Sequence, residues 1–171
     1  MTALAIGAAL LTVSVACVTD VRTRRIPNWL TLGSAAVAVL AHAVLADGRA
    51  GAAGAIGWLV GVALFLPVFA LGGMGGGDVK LLGALGAWLG VPDVFWLAVY
   101  TSMAGGVLAL VTALRSRYLG TLLRNIATLL RFWSLVGLKP LESLTLEHGT
   151  GPRLAYAIPV FVGTVVTIWL H

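Results

Sequence analysis

Two aspartates, Asp20 and Asp78, are the residues of this sequence whose type and surroundings could support chemistry. Each lies at the boundary of an apolar segment, and Asp78 directly follows the glycine-rich run 72–77. An ionisable side chain in or at the edge of a bilayer costs roughly 2.5 to 3.5 kcal/mol on insertion scales, which makes it a candidate functional residue. The glycines alone could form a loop or a helix-packing face. That explanation does not account for the acid.

The composition indicates a membrane protein. Of the 171 residues, 60% are apolar, and the apolar runs are long enough for a bilayer to be their environment. We therefore expect an all-α transmembrane fold forming a single domain over residues 1–171. The single cysteine, Cys17, excludes an internal disulfide and a four-cysteine zinc site. The first apolar segment is followed rather than preceded by arginines, which indicates a retained helix rather than a signal peptide.

The apolar segments predict about six transmembrane helices, at residues 1–19, 29–46, 52–71, 79–90, 94–114 and 154–170. Polar turns are expected at 47–49 and 92–93. The fourth helix follows the glycine-rich run and is short, about 18 Å at 1.5 Å per residue, against an apolar core of about 30 Å. We therefore expect the glycine-rich run to dip into the membrane, where protein or a water-filled cavity must satisfy its backbone.

The basic residues predict the orientation. If the N-terminus is outside, ten of the eleven Lys and Arg residues face the cytoplasm and only Arg49 lies outside. The net charge of +5 is then explained by topology, and we expect no nucleic-acid partner. Asp20 and Asp78 fall together on the cytoplasmic side, because the chain crosses the membrane out and back between them. Asp47 and Asp93 fall in outer turns, where a solvated residue is expected.

The segment 115–153 differs from the predicted spans. Arg117, Arg124 and Arg131 recur at helical spacing, and leucines fill the opposite face. This pattern predicts an amphipathic helix in the cytoplasmic interface, with its arginines on anionic lipid head groups and no part in the chemistry. Residues 136–152 are expected to form a cytoplasmic loop in which Glu142 and Glu147 are hydrated.

Two carboxylates at one depth suit acid–base hydrolysis of a peptide. One carboxylate deprotonates a water while its protonated partner polarises the scissile carbonyl. A close pair shares one proton, because both groups cannot easily ionise together. Lys80 lies about 200° around a helix from Asp78. We therefore expect it to extend to the membrane surface rather than pair with the acid.

Other functions are open on the residues alone. In a transporter, the two acids would bind protons or cations and the glycine break would form a discontinuous helix. Hydrolysis is favoured because both acids lie at one face, whereas transport sites usually lie near the midplane. A scaffold without catalysis would tolerate replacement of both acids. We expect no cofactor and no metal, since His42 and His148 do not converge on the acids and the glycines match neither a P-loop nor a dinucleotide motif.

The sequence resembles a known family in two places. Asp20 with Arg25-Ile26-Pro27-Asn28, and Gly75-Gly76-Gly77-Asp78-Val79-Lys80, look like the two signatures of type IV prepilin peptidases, the GxGD class of membrane aspartic proteases. The segment 153–159 resembles the family's last helix more loosely. The resemblance implies that Asp20 and Asp78 form a catalytic dyad. It implies substrate-binding or motif-supporting roles for the other signature residues: Pro27, Asn28, Gly75, Gly76, Gly77 and Lys80.

The same resemblance implies a substrate and a location. Family members remove a short basic leader from prepilins, typically after a glycine, at the cytoplasmic face of the bacterial inner membrane. Larger members carry an N-terminal cytoplasmic insert with paired CxxC motifs, and also methylate the new N-terminus with S-adenosylmethionine. Trp29 comes only nine positions after Asp20, which leaves no room for that insert. The chain therefore looks like the short, peptidase-only branch that serves Tad/Flp pili, and we do not expect methylation.

Overall fold

The computed structural model describes residues 2–45, 48–145 and 154–171, and these ranges contain helices, turns and loops but no strand. The all-α expectation is therefore confirmed for the described residues. They form the α-helices α1 (Ala3–Thr23), α2 (Asn28–Leu45), α3 (Gly48–Ala70), α4 (Gly76–Leu89), α5 (Val91–Arg115), α6 (Leu119–Val136) and α7 (Ala157–Leu170), with a short 3₁₀ turn at Glu142–Leu144.

Apolar helices dominate the fold. Within the described ranges, three helices are long and apolar enough to cross a membrane, by length and composition: α1, residues Gly51–Ala70 of α3, and α5. Two shorter apolar helices, α2 and α7, accompany them. The helices are those of an integral membrane protein, and the count of six transmembrane helices stays a prediction.

Helix α4 is the centre of the bundle. It is 14 residues long, roughly 21 Å at the usual rise per residue, and α1, α2, α3 and α5 all pack against it. Every residue from Leu81 to Leu89 is buried. A helix that is apolar on all sides is stable only when it is enclosed, because it has no face to present to water. The enclosed helix holds its first turn, which carries Asp78, at a fixed place in the bundle.

Helices α3 and α4 pack backbone to backbone. A Cβ built on Gly57 would overlap the carbonyl of Gly86, and a Cβ on Gly86 would overlap the carbonyl of Gly57. One turn further along α3, a Cβ on Gly61 would lie 2.6 Å from the carbonyl oxygen of Leu82. Small residues allow such close approach between membrane helices. The contact leaves no room for a side chain, so it sets the position of α4 against α3.

A polar network joins α4 to two further helices. The hydroxyls of Thr12 on α1 and Ser34 on α2 lie 2.8 Å apart, and the indole N–H of Trp88 on α4 donates to the Ser34 oxygen at 2.9 Å. Hydrogen bonds between helices in a membrane contribute of the order of 1 kcal/mol. The network therefore stabilises the arrangement of α1, α2 and α4 without a charged group.

Two predicted helix ends are wrong. Helix α1 continues to Thr23, beyond the expected end at residue 19, so Asp20 lies inside its last turn. It stops where Arg24 takes the left-handed conformation (φ 54°) and donates its backbone N–H to the carbonyl of Asp20. Helix α4 begins at Gly76 rather than at residue 79, so Gly76 and Gly77 are helical. The glycine-rich run is therefore a loop only as far as Gly75.

The predicted polar turns also differ from the structure. Gly48 and Arg49 belong to the first turn of α3, while Asp47 lies outside the described residues. Pro92 lies in the first turn of α5, a position that tolerates proline because its missing N–H has no partner in the helix. The turn between α4 and α5 is made instead by Gly90, with a φ of 88° that favours glycine.

Candidate active site

Asp20 and Asp78 lie at one end of the bundle, and Asp93 lies at the other. Asp78 is in the first turn of α4, while Asp93 follows the far end of that helix, in the first turn of α5. The length of α4, roughly 21 Å, separates the two levels. Asp20 lies at the same end of the bundle as Asp78, since the carboxylates of the two residues interact electrostatically. The structure thus brings together the two acids that the sequence singled out and keeps Asp93 apart.

Asp20 is held by the beginning of α7. Its side chain is only 7% exposed, and its Oδ2 accepts a hydrogen bond from the backbone N–H of Ala157 at 3.1 Å. The first N–H groups of a helix have no partner inside the helix, and they favour a negatively charged acceptor. This bond satisfies a buried carboxylate and ties α1 to α7 across 137 positions of the chain.

Asp78 folds back over the start of its own helix. It is the third residue of α4, the position from which a carboxylate can reach the backbone of the capping residue. The capping residue is Gly75, and a Cβ built there would lie only 3.0 Å from the Asp78 Oδ2. A side chain at position 75 would therefore crowd the carboxylate, and the helix N-terminus favours its negative charge.

The other glycines of the signature each face a different neighbour. A Cβ on Gly76 would lie 3.4 Å from the Phe69 ring, and a Cβ on Gly77 would lie 3.2 Å from the Cβ of Ile26. Upstream, Gly72 adopts a φ of 76°, which makes the turn after α3. Glycine at these positions lets the loop and the first turn of α4 fit between α3 and the segment after α1.

The two sequence signatures contact each other. Ile26 packs on Gly77, and the Lys80 ammonium donates a hydrogen bond to the Asn28 side-chain oxygen at 2.9 Å. Between them, the carbonyl of Pro27 accepts the first backbone hydrogen bonds of α2. Lys80 was expected to extend towards the surface; it reaches an amide that the sequence did not indicate as its partner. These contacts dock the short segment after Asp20 onto the first turn of α4.

Sequence reasoning missed Tyr156 and Ala157. Ala157 provides the N–H that binds Asp20, and the Tyr156 ring lies near Asp78. Burial raises the pKa of the Tyr156 phenol to about 12, and the negative charge of Asp78 acts in the same direction. The phenol therefore keeps its proton at neutral pH. The loose likeness of segment 153–159 to a family helix was the one signal, and it did not single out either residue.

The remaining candidates lie away from the acids or outside the described residues. The His42 ring lies near Trp88, with centroids 6.4 Å apart. Arg124 and Arg131 lie on α6, in which no residue is buried. Across residues 2–45, 48–145 and 154–171, no group of three His, Cys, Asp or Glu side chains is placed to hold a metal ion. Glu147, His148 and Arg153 lie outside the described residues, as Asp47 does.

Comparison with known proteins gives one match. The model of the Type IV leader peptidase family matches residues 7–110, which is more than half of the chain. The matched region runs from α1 into α5 and includes both Asp20 and Asp78, but it ends before Tyr156. No curated protein and no solved structure matches the chain.

Proposed function

The chain belongs to the type IV leader peptidase family, and on that premise we propose that it cleaves prepilins with Asp20 and Asp78 as its catalytic dyad. One observation carries the assignment of these residues. The two acids come from different helices, α1 and α4, and their carboxylates lie close enough to interact at one end of the bundle. Membership of this family supports a peptidase over the transporter and the non-catalytic scaffold, which the residues alone left open.

The dyad acts by general acid–base catalysis. The ionised carboxylate takes a proton from a water molecule, whose oxygen forms a bond to the carbonyl carbon of the scissile peptide. The protonated carboxyl gives its proton to the carbonyl oxygen. As the tetrahedral intermediate collapses, the C–N bond breaks and the leaving amine takes up a proton from one carboxyl of the dyad. The other carboxylate takes the proton from one hydroxyl of the intermediate, whose oxygen becomes the carbonyl of the new carboxylic acid, so the dyad again holds one proton. Two close carboxylates hold one proton between them, so the pair provides both the base and the acid.

The connection between α1 and α2 supports the short, peptidase-only branch of the family. Helix α1 ends at Thr23 and α2 begins at Asn28, so residues 24–27 alone join them. A domain with paired CxxC motifs has no place in this connection, and Cys17 is the single cysteine of the sequence. These features support a peptidase that does not methylate its product, similar to the enzymes of Tad/Flp-like pili.

The basic residues support a cytoplasmic site in the bacterial inner membrane. Arg22, Arg24 and Arg25 follow Asp20 directly, at the end of the bundle that holds both acids. Positively charged residues near membrane helices are concentrated on the cytoplasmic side. In this orientation the N-terminus lies outside, and the dyad faces the side on which the basic leader of a prepilin is found.

Cleavage by the purified protein tests the function. The chain is reconstituted in lipid vesicles with a Tad/Flp-like prepilin that has a basic leader, a glycine and then an apolar helix. Mass spectrometry is expected to show a single cut after the glycine, without any ion gradient. With S-adenosylmethionine added, the new N-terminus is expected to stay unmethylated. An intact prepilin, under conditions in which the reconstituted chain is folded, would refute the proposal.

We also propose that α6 lies on the membrane surface and contacts anionic lipids. None of its residues is buried, and it touches little of the bundle beyond α5. Leu123 and Leu130 are 60% and 59% exposed. An apolar helix face of this kind is covered when it sinks into the boundary between head groups and acyl chains. Arg117, Arg124 and Arg131 would then attract anionic head groups, at about 1 kcal/mol per charge.

Amide hydrogen exchange tests the position of α6. In the native protein, exchange within α6 is expected to be slower in vesicles containing anionic lipid than in purely zwitterionic vesicles, because the arginines hold the helix on the surface. Replacing Arg117, Arg124 and Arg131 together by glutamine is expected to remove most of that difference. The buried helix α4 serves as the internal control, since its exchange should not depend on lipid charge. Equal exchange of α6 in both lipids would contradict the proposal.

A further inference from the structure

Tyr156 occupies a position that the dyad mechanism does not use. It directly precedes α7, and the next residue, Ala157, donates its backbone N–H to Asp20. Its ring is close enough to Asp78 for the charge of that carboxylate to act on the phenol. The beginning of α7 is therefore adjacent to both acids, through its backbone on one side and through the tyrosine ring on the other.

Helix α5 fixes the position of the ring. A Cβ built on Gly105 would lie 3.1 Å from the phenol oxygen and 3.1 Å from Cε2 of Tyr156. The neighbouring Gly106 has no atom within 4 Å of the corresponding point. Gly105 lies about four turns into α5, at nearly the depth of the first turn of α4, since α4 ends and α5 begins at the Gly90 turn. The absence of a side chain at position 105 thus leaves the space in which the phenol lies.

Within residues 2–45, 48–145 and 154–171, the phenol O–H of Tyr156 makes no hydrogen bond. The Tyr156 side chain is half-buried, and its oxygen is not among the fully buried unpaired polar atoms, so the O–H is open to water or to a ligand. The pKa of the phenol is raised to about 12 by burial, so the group stays protonated at neutral pH. A neutral donor beside two acids can bind a carbonyl oxygen of a ligand.

We propose that the phenol O–H of Tyr156 donates a hydrogen bond to the carbonyl oxygen of the scissile peptide bond of the prepilin. The proposal rests on the peptidase function of Asp20 and Asp78. As the water oxygen bonds to the carbonyl carbon, electron density moves onto the carbonyl oxygen, which takes its proton from the dyad. The tyrosine proton stays on the phenol and stabilises that oxygen. Tyr156 is thus a substrate-contacting residue that acts mainly in the transition state.

Removing the hydroxyl alone tests the proposal. Tyr156→Phe keeps the ring against Gly105 and removes the donor. Loss of one donor to a developing oxyanion typically lowers kcat by roughly 100- to 1,000-fold, and we expect a decrease in this range with KM unchanged. Tyr118→Phe is the matched control, because it makes the same chemical change at a tyrosine whose oxygen accepts from Asn125 outside the site. We expect this control to retain its kcat. Both variants should unfold in detergent at the temperature of the native protein.

A pair of adjacent glycines provides the second test. Gly105→Ala places a methyl group 3.1 Å from the phenol oxygen, a contact tight enough to shift the ring, and is expected to lower kcat by moving the donor. Gly106→Ala adds the same methyl group into open space and is expected to leave kcat unchanged. If Tyr156→Phe does not fold, this pair decides the question, and equal kcat values for the two alanine variants would overturn the proposal.

Variants of Asp20 and Asp78 distinguish a failure of the Tyr156 proposal from a failure of the peptidase function on which it rests. Native kcat in Tyr156→Phe, or a change in KM alone, overturns the role of the phenol. It leaves the peptidase function in place, provided that variants of Asp20 and Asp78 are inactive. Cleavage by those acid variants would instead refute the dyad, whatever the result at Tyr156.

Discussion

Asp20→Asn and Asp78→Asn are each expected to abolish prepilin cleavage while the protein stays folded in the membrane. Asparagine keeps the size and shape of aspartate but can neither take a proton from water nor pass one to the carbonyl oxygen. General acid–base catalysis by one group is worth roughly 100- to 10,000-fold, and we expect at least that loss from either change. The amide oxygen at position 20 can still accept the Ala157 N–H, so the bond between α1 and α7 is kept.

The measurement is the rate of leader removal by purified variants, with detergent unfolding as the check on folding. Asp93→Asn is the matched control, because it makes the same change at the far end of α4, and its rate should equal that of the native protein. The double variant should be no slower than either single variant, since groups that act as one unit do not contribute additively. Native rates for Asp20→Asn or Asp78→Asn would refute the dyad.

Gly57→Ala and Gly86→Ala are expected to destabilise the whole bundle. In each case the new methyl group meets the backbone carbonyl of the facing helix, and a backbone cannot give way by changing rotamer. Overpacking typically costs about 1 to 3 kcal/mol, and a clash against backbone should lie at or above the upper value. Relief requires α3 and α4 to separate, which would also displace the first turn of α4 and its Asp78.

Denaturant unfolding in detergent micelles measures this effect. Gly106→Ala is the control, because the added methyl group meets nothing. It should be neutral or should stabilise the protein by up to about 1 kcal/mol, since alanine is the better helix former. The two classes of glycine are thus expected to respond in opposite directions. Unfolding midpoints that are the same for Gly57→Ala, Gly86→Ala and Gly106→Ala would show that the close contact between α3 and α4 is not formed.

Helix boundaries show where local sequence patterns were insufficient. The first apolar run ends at Thr19, but α1 continues until Arg24 adopts a left-handed conformation. Charged residues can extend a helix beyond its apolar segment, because the hydrogen bonds of a helix are made by backbone groups rather than by side chains. Pro92 was expected to turn the chain, although proline is also well tolerated at a helix start. The predicted helix ends differ from the observed ones by a turn or less, and the all-α class is unaffected.

The sequence by itself determined the class of the protein and its two candidate acids. Long apolar runs need a bilayer as their environment. An aspartate beside them has a high free-energy cost of insertion, which marks it as a candidate functional residue. Both signals are local, so they can be recognised without knowing how the helices pack. They led to Asp20, Asp78 and the glycines that make room beside Asp78.

Only the tertiary structure decided what surrounds those acids. The bond from Ala157 to Asp20, the Tyr156 ring on Gly105 and the bond from Lys80 to Asn28 all join residues that are far apart in the chain. None of these partners differs in type or spacing from ordinary helix residues, so no periodicity could have indicated them. Helix packing brings these residues together. The backbone contact between α3 and α4 fixes the position of α4, and the packing of α7 against α1 and α5 fixes the position of α7.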